Sequence, residues 1–132
     1  MTSTLILVGK KMPENRRDDM CTKNELNSIL QKLTQIYRSV YGENLVQVIL
    51  YGSYARGDYH TDSDVDVVAI VHGDRKTLQQ QLKKVWDSSC ELELEYDTIL
   101  SPTVIPYEEF KQYQTVLPYY RNISQEGVVI SA

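Results

Sequence analysis

The sequence predicts an α/β (α+β) domain in which a small mixed β-sheet is flanked by helices. Two apolar runs, Leu45–Tyr51 and Val65–Val71, have the length and the β-branched content of buried strands. Apolar residues recur at helical spacing before the first run and again after the second. This order of helices and strands is typical of a sheet that buries its apolar residues against helices.

The first predicted helix begins at Thr22 and ends before Gly42. Thr22 and Glu25 form a capping box, and a glycine is typical of a helix C-terminus. The apolar side chains between them recur every three or four residues and predict a stripe facing the core: Leu26, Ile29, Leu30, Leu33, Ile36, Tyr37 and Val40. We expect residues 1–21 to be an N-terminal arm that includes at most a short strand, and residues 22–132 to be a single domain.

The second half of the chain predicts a further helix and a further strand. The helix covers about Arg75–Ser88, because apolar side chains share one of its faces: Leu78, Leu82, Val85 and Trp86. The strand covers Glu91–Leu100, where side chains alternate, and Ser101-Pro102 is expected to end it. A short helix at Tyr107–Phe110 and an apolar tail after Gly127 complete the prediction.

Length, charge and cysteine content narrow the functional classes. A chain of 132 residues with 42% hydrophobic content can build one core without disulfides. Its net charge of −4 and pI near 5.1 argue against nucleic-acid binding through a broad basic surface, and so against a template-directed polymerase. Cys21 and Cys90 form no CxxC pair, so we expect reduced thiols, a cytoplasmic location and no zinc site. The run Leu5–Val8 is too short for a signal peptide or a membrane span.

A polar turn between the first two strands has the residues of an anion-binding site. Gly52 ends the first strand where a side chain would obstruct a ligand, and Gly57 can adopt positive φ as the chain reverses. Ser53 begins a predicted short helix, whose N–H groups and hydroxyl suit a triphosphate. Arg56 has two alternative roles, binding phosphate or pairing with Asp58 or Asp62 to fix the turn.

Two carboxylates, Asp64 and Asp66, stand at the head of the second strand. Side chains at positions i and i+2 of a strand point to the same face, so both carboxylates converge while Val65 and Val67 face the core. Carboxylates this close repel each other unless a cation lies between them, and Mg²⁺ prefers carboxylate oxygen. The spacing therefore predicts a divalent-metal site next to the turn.

These residues together form a recognisable signature: Gly52-Ser53-x-Ala55-Arg56-Gly57, five residues, then Ser63-Asp64-x-Asp66. The signature resembles the active site of the polymerase-beta-like nucleotidyltransferases, and within them most of all the minimal nucleotidyltransferase (MNT) group. The resemblance is strongest over residues 45–100 and implies the fold of that superfamily.

The resemblance implies transfer of a nucleoside monophosphate from a nucleoside triphosphate, such as ATP, to an acceptor hydroxyl, with pyrophosphate leaving. It implies two Mg²⁺ ions, which in such sites lie about 3.5–4 Å apart. Nucleotide binding is carried over to Gly52, Ser53, Arg56 and Ser63, and metal binding and catalysis to Asp64 and Asp66. A third carboxylate on a neighbouring strand completes the family's site. Asp97 is the candidate and Glu95 its nearest rival.

The acceptor is also suggested by the resemblance. MNT proteins are often encoded beside a HEPN protein as a toxin–antitoxin pair, in which the MNT member transfers AMP from ATP to a tyrosine hydroxyl near the HEPN ribonuclease site. The implied partner is therefore a HEPN toxin in a hetero-oligomer, with no direct nucleic-acid or membrane contact. One alternative is modification of a small molecule such as an aminoglycoside, with the acidic row Glu91, Glu93 and Glu95 as its cleft. The other is a non-catalytic antitoxin that acts by occlusion.

Tyrosine is abundant, with ten copies against one Phe and one Trp. Four of them lie in the C-terminal segment: Tyr107, Tyr113, Tyr119 and Tyr120. This group is expected either to form a contact surface or to pack beneath the sheet.

Overall fold

A computed structural model of the chain describes residues 23–59 and 63–131. It contains five helices and four strands within those ranges: α1 Lys23–Tyr41, β1 Leu45–Tyr51, α2 Ser53–Arg56, β2 Val65–Val71, α3 Arg75–Tyr96, β3 Leu100–Pro106, α4 Tyr107–Tyr113, α5 Pro118–Glu126 and β4 Val128–Ser131. The predicted bounds of β1 and β2 are confirmed, and α1 ends before Gly42 as expected. Thr22, the predicted cap of α1, lies outside the described residues.

The four strands form one mixed sheet in the order β3-β2-β1-β4. Strand β1 runs antiparallel to both β2 and β4, whereas β2 and β3 are parallel. The predicted fold class, a small mixed sheet flanked by helices, is therefore confirmed. The register pairs Asp66 with Tyr51 on one side and with Ser101 on the other. These three residues begin or end their strands at the same end of the sheet.

Helices cover both faces of the sheet. On the first face α1 and α3 enclose the larger core, to which β2 contributes Val65, Val67, Ala69 and Val71. Two buried tyrosines tie α1 to this layer, since Tyr37 donates to the Thr103 carbonyl and Tyr41 to the Leu78 carbonyl, both at 2.8 Å. On the second face α4 and α5 cover a smaller core: Ile49, Val68, Ile70, Ile105, Phe110, Tyr120 and Ile123. Because side chains alternate along a strand, Asp66 points to this second face.

Helix α3 is longer than the sequence suggests, and the predicted strand Glu91–Leu100 is wrong. The chain stays helical through Tyr96, and a strand begins only at Leu100. The buried side of α3 continues at helical spacing past Ser88 through Ser89 and Leu92, while Leu94 is 84% exposed. Glutamate and leucine alternate with the period of a strand only over the five residues 91–95. The buried stripe of α3 runs through the same segment at helical spacing, and the segment is helical.

The sequence predicts that Pro102 ends a strand, but Pro102 lies inside β3. Strand β3 is at the edge of the sheet, where a missing backbone N–H costs no ladder hydrogen bond when it faces outward. The Pro102 carbonyl accepts a hydrogen bond from the Trp86 indole N–H at 3.0 Å, so the outer side of β3 is covered by α3.

None of the helices in residues 23–59 and 63–131 is long and apolar enough to cross a membrane.

Candidate active site

The turn after β1 contains two glycines with positive φ. Gly52 has φ 79° and ψ −155°, and Gly57, with φ 87°, closes the four-residue helix α2. The Gly52 carbonyl accepts hydrogen bonds from the N–H groups of Ala55 and Arg56, each at 3.0 Å. A Cβ atom at position 52 would lie 2.4 Å from Oδ2 of Asp66. The turn and this carboxylate are therefore in direct contact, and only glycine allows it.

Asp66 is half-buried between its register partners Tyr51 and Ser101. Burial raises the pKa of its carboxyl, the nearby charge of Asp64 raises it further, and the Arg56 guanidinium lowers it. Asp64 lies just before β2, where its Oδ2 accepts a hydrogen bond from the Ser101 hydroxyl at 3.3 Å. The two predicted carboxylates are thus brought together at the end of the sheet beside the glycine turn.

The residues present fit a divalent cation. A raised carboxyl pKa means that the negative charge is poorly compensated, and a cation bound by both carboxylates would remove that cost. The contact between Asp66 and Gly52 leaves the carboxylate beside an unobstructed backbone, as a bound metal and phosphate would require. Within the described parts of the chain, no three His, Cys, Asp or Glu side chains are placed to share a metal ion.

The prediction that Asp97 lies on a strand is wrong. Asp97 follows the last residue of α3 and adopts a left-handed conformation, with φ 51°, that ends the helix. Glu95, the rival, lies on α3 and pairs with Lys32 of α1 at 3.1 Å. At the place opposite Asp66 on the neighbouring strand the chain has Ser101. Sequence reasoning missed this serine because it placed the third strand about nine residues too early.

Arg56 pairs with Asp58, one of the two carboxylates that the sequence offered it, and also with Glu126, which the sequence did not suggest. Its Nε lies 3.3 Å from Oδ2 of Asp58, and its Nη1 lies 3.6 Å from Oε1 of Glu126 on α5. Asp62, the other predicted partner, lies outside the described residues. All three paired side chains are substantially exposed. The guanidinium is nevertheless close enough to Asp66 to lower the pKa of that carboxyl.

The two predicted serines flank this arrangement. Ser53 is the first residue of α2, and its carbonyl accepts a hydrogen bond from the Gly57 N–H at 2.8 Å. Ser63 is half-buried and directly precedes Asp64. Both serines therefore lie next to the residues with which the signature groups them.

Tyr119 of α5 is a neighbour of the carboxylates that the sequence did not assign to the site. Its ring meets that of Tyr51 edge to face, with centroids 6.0 Å apart. Burial raises the pKa of its hydroxyl, the Thr103 side chain lowers it, and Tyr51 and Asp66 raise it.

Two of the C-terminal tyrosines pack on the sheet, and two are exposed. Tyr120 is buried and Tyr107 is half-buried against the second core, whereas Tyr113 and Tyr119 are 37% and 46% exposed.

Comparison with known protein families identifies the family of this chain. Residues 26–130 match the family model described as "Nucleotidyltransferase domain". The chain belongs to this family. The match spans α1 to β4, so the glycine turn, the carboxylate pair and all four strands lie within it. The resemblance of the sequence signature to nucleotidyltransferases is confirmed.

Curated relatives of this nucleotidyltransferase include three proteins of Methanocaldococcus jannaschii, each named "Putative protein adenylyltransferase". MJ0141 is 35% identical over 80 residues, which is 61% of this chain and 79% of that protein. MJ0604 is 28% identical over 101 residues, which is 76% of this chain and 93% of that protein. MJ1305 is 34% identical over 80 residues, which is 61% of this chain and 54% of that protein.

Solved structures similar to this nucleotidyltransferase include two that are described as toxin–antitoxin. One is a toxin–antitoxin with AMP-PNP, at 16% identity and a TM-score of 0.45, covering 86% of this chain and 72% of that chain. The other is a mutant of the toxin–antitoxin MntA-HpeT, at 16% identity and a TM-score of 0.47, covering 75% and 69%.

Proposed function

We propose that this nucleotidyltransferase transfers AMP from ATP to a tyrosine hydroxyl of a partner HEPN toxin and thereby acts as an antitoxin. The observation that carries the proposal is the contact between the Asp66 carboxylate and Gly52, with Asp64 beside it. It joins a carboxylate pair suited to a metal to a turn suited to phosphate. The names of the three archaeal relatives support a protein as the acceptor.

Asp64 and Asp66 are the residues that would hold Mg²⁺. The ion supplies positive charge that offsets both carboxylates and the triphosphate, and it lowers the pKa of a bound hydroxyl. Ser101 orients Asp64 through its hydroxyl, because the hydrogen bond fixes one carboxylate oxygen and leaves the other available.

The glycine turn receives the triphosphate. Gly52 presents backbone without a side chain, and the first N–H groups of a helix have no partner within the helix, so they can donate to phosphate oxygen. Arg56 can exchange its carboxylate partners for phosphate, because exposed ion pairs contribute only about 0–1 kcal/mol. Its planar guanidinium then makes bidentate hydrogen bonds to the ligand.

Ser101 opposite Asp66 favours a tyrosine acceptor. A carboxylate at that place would take the proton of the attacking hydroxyl, and serine does so poorly. A tyrosine hydroxyl, with a pKa of about 10, loses its proton far more readily than an alcohol, whose pKa is several units higher. Among the described residues the site has two carboxylates and a serine, a set better suited to a phenol than to the alkyl hydroxyls of an aminoglycoside.

The acidic row invoked for an aminoglycoside has other positions in the fold. Glu91, Glu93 and Glu95 lie on α3, which covers the first face of the sheet, whereas Asp66 points to the second. Glu93 accepts a hydrogen bond from the Leu100 N–H at 2.9 Å, and Glu95 pairs with Lys32. These carboxylates therefore do not extend the site around Asp66.

The test is transfer of the labelled α-phosphate of ATP to a partner that co-purifies with the chain, with Mg²⁺ present. We expect label on a tyrosine of the partner, and its loss when Asp64 and Asp66 are both replaced by Asn. Asp87→Asn is the matched control, because Asp87 is an exposed carboxylate of α3 and should leave transfer unchanged. An unlabelled partner that is still neutralised by the double variant would refute adenylylation and indicate occlusion.

A further inference from the structure

Tyr119 lies across the second face of the sheet, the face to which Asp66 points. Its ring meets Tyr51 of β1, and its hydroxyl interacts with the side chain of Thr103 on β3. Strand β2 lies between β1 and β3, so a side chain that touches both must pass over β2. The part of β2 beneath it is Asp66 to Val68, because Tyr51 pairs with Asp66 and Thr103 pairs with Val68. The Tyr119 phenol is therefore an immediate neighbour of the Asp66 carboxylate.

Helix α5 is fixed in the position that brings Tyr119 there. The next residue, Tyr120, is buried, and its hydroxyl hydrogen-bonds with Glu109 of α4 and with Arg75 of α3, the latter at 2.9 Å. At the other end of the helix, a Cβ on Gly127 would lie 2.5 Å from both the Ile123 carbonyl and Cγ2 of Ile49, which shows how closely α5 approaches β1. Tyr119 is thus held beside the site by the rest of the fold.

The Tyr119 hydroxyl lies towards β3, on the side of Asp66 away from the glycine turn. The glycine turn, which we propose binds the triphosphate, follows β1. Thr103 and Ser101 belong to β3, on the other side of Asp66. Tyr119 is 46% exposed, so its ring is accessible from solvent. Tyr51 is also close to Asp66, but it directly precedes Gly52 on the nucleotide side and packs against the second core.

We propose that Tyr119 is itself an acceptor, so that the chain adenylylates its own Tyr119 when no partner occupies the site. The inference rests on the proposed function, because it uses the same nucleoside triphosphate and the same class of acceptor. A bond forms between the phenolic oxygen and the α-phosphorus, the bond from that phosphorus to the bridging oxygen breaks, pyrophosphate leaves, and the phenolic proton passes to solvent. The attached AMP fills the acceptor side and prevents further transfer by that molecule.

The test is incubation of the purified chain alone with ATP and Mg²⁺, followed by peptide mass spectrometry. We expect one AMP on Tyr119, at a rate per molecule that is independent of protein concentration, because the reaction occurs within one chain. Tyr119→Phe keeps the ring and should abolish the label, while Tyr113→Phe, a matched change at another exposed tyrosine of the same segment, should not. Equal thermal unfolding midpoints of the two variants and the wild type show that the loss is not caused by misfolding.

The possible failures are distinguishable. Label on Tyr51 or another residue, label that survives Tyr119→Phe, or a rate that rises with protein concentration overturns the inference. A chain that labels its partner but never itself overturns it while leaving the proposed function intact. A chain that labels neither its partner nor itself refutes both.

Discussion

Gly52→Ala tests the contact on which the site depends. The backbone at Gly52 has φ 79° and ψ −155°, a conformation that is nearly confined to glycine, so alanine should cost about 1–3 kcal/mol of folding free energy. The new Cβ would also lie 2.4 Å from Oδ2 of Asp66, so the carboxylate must move by about 1 Å to reach the 3.4 Å of ordinary van der Waals contact. A misplacement of about 1 Å at a reacting centre costs on the order of 100-fold in rate.

The assay for this variant combines urea unfolding with adenylyl transfer. Gly42→Ala is the matched control, because Gly42 also has positive φ, 59°, but a Cβ added there would have nothing within 4 Å. We expect Gly42→Ala to lose about 1–2 kcal/mol of stability and to keep its transfer rate. In an Asp66→Ala background the stability cost of Gly52→Ala should fall, because the colliding carboxylate is gone. Transfer by Gly52→Ala at the wild-type rate would refute the proposed geometry.

Four further predictions concern the charges and hydroxyls of the fold. Because the pKa of Asp66 is raised in the folded state, ionisation of this carboxyl lowers the stability of the protein as pH rises. In urea titrations without divalent cations, Asp66→Asn should therefore be more stable than the wild type at pH 7. The two proteins should be equally stable below the ordinary aspartate pKa of about 4. Mg²⁺ at 100 times its Kd should stabilise the wild type by about 2.7 kcal/mol in the same assay and Asp66→Asn much less. Ser101→Asp should lower metal-free stability and raise Mn²⁺ affinity in calorimetry, and an unchanged affinity would contradict the register. The Tyr41 hydroxyl, which donates to the Leu78 carbonyl, has its pKa raised by burial to about 12, so stability should fall between pH 10 and 12 and less so in Tyr41→Phe.

The first half of the chain could be predicted from sequence because several local signals agree there. The stripe of α1, its terminal Gly42 and the two apolar runs each favour one structure, and the structure has all of them. The glycine turn and the carboxylate pair could be predicted for the same reason, since Asp64 and Asp66 are two residues apart at the start of an extended segment and so point to the same side.

The second half could not be predicted as well, because there the local pattern supports two structures. The segment from Glu91 to Glu95 alternates like a strand, and only its continuity with the buried stripe of α3 makes it helical. Because this segment was predicted to be a strand, the third strand was placed too early and Asp97 was assigned to it. The structure has Ser101, on β3, next to Asp66. The position of Tyr119 beside Asp66 could not be predicted, because it depends on the packing of α5 against β1 rather than on any local motif.

An anomalous difference map tests most directly whether Asp64 and Asp66 form a metal-dependent nucleotide site. The crystal would be grown with Mn²⁺ and a non-hydrolysable ATP analogue. We expect a peak bonded to oxygens of both carboxylates at about 2.0–2.2 Å, with the phosphates against Gly52 and Ser53. A bound nucleotide whose metal lies away from both aspartates, or carboxylates turned apart with no metal between them, would contradict the proposed site.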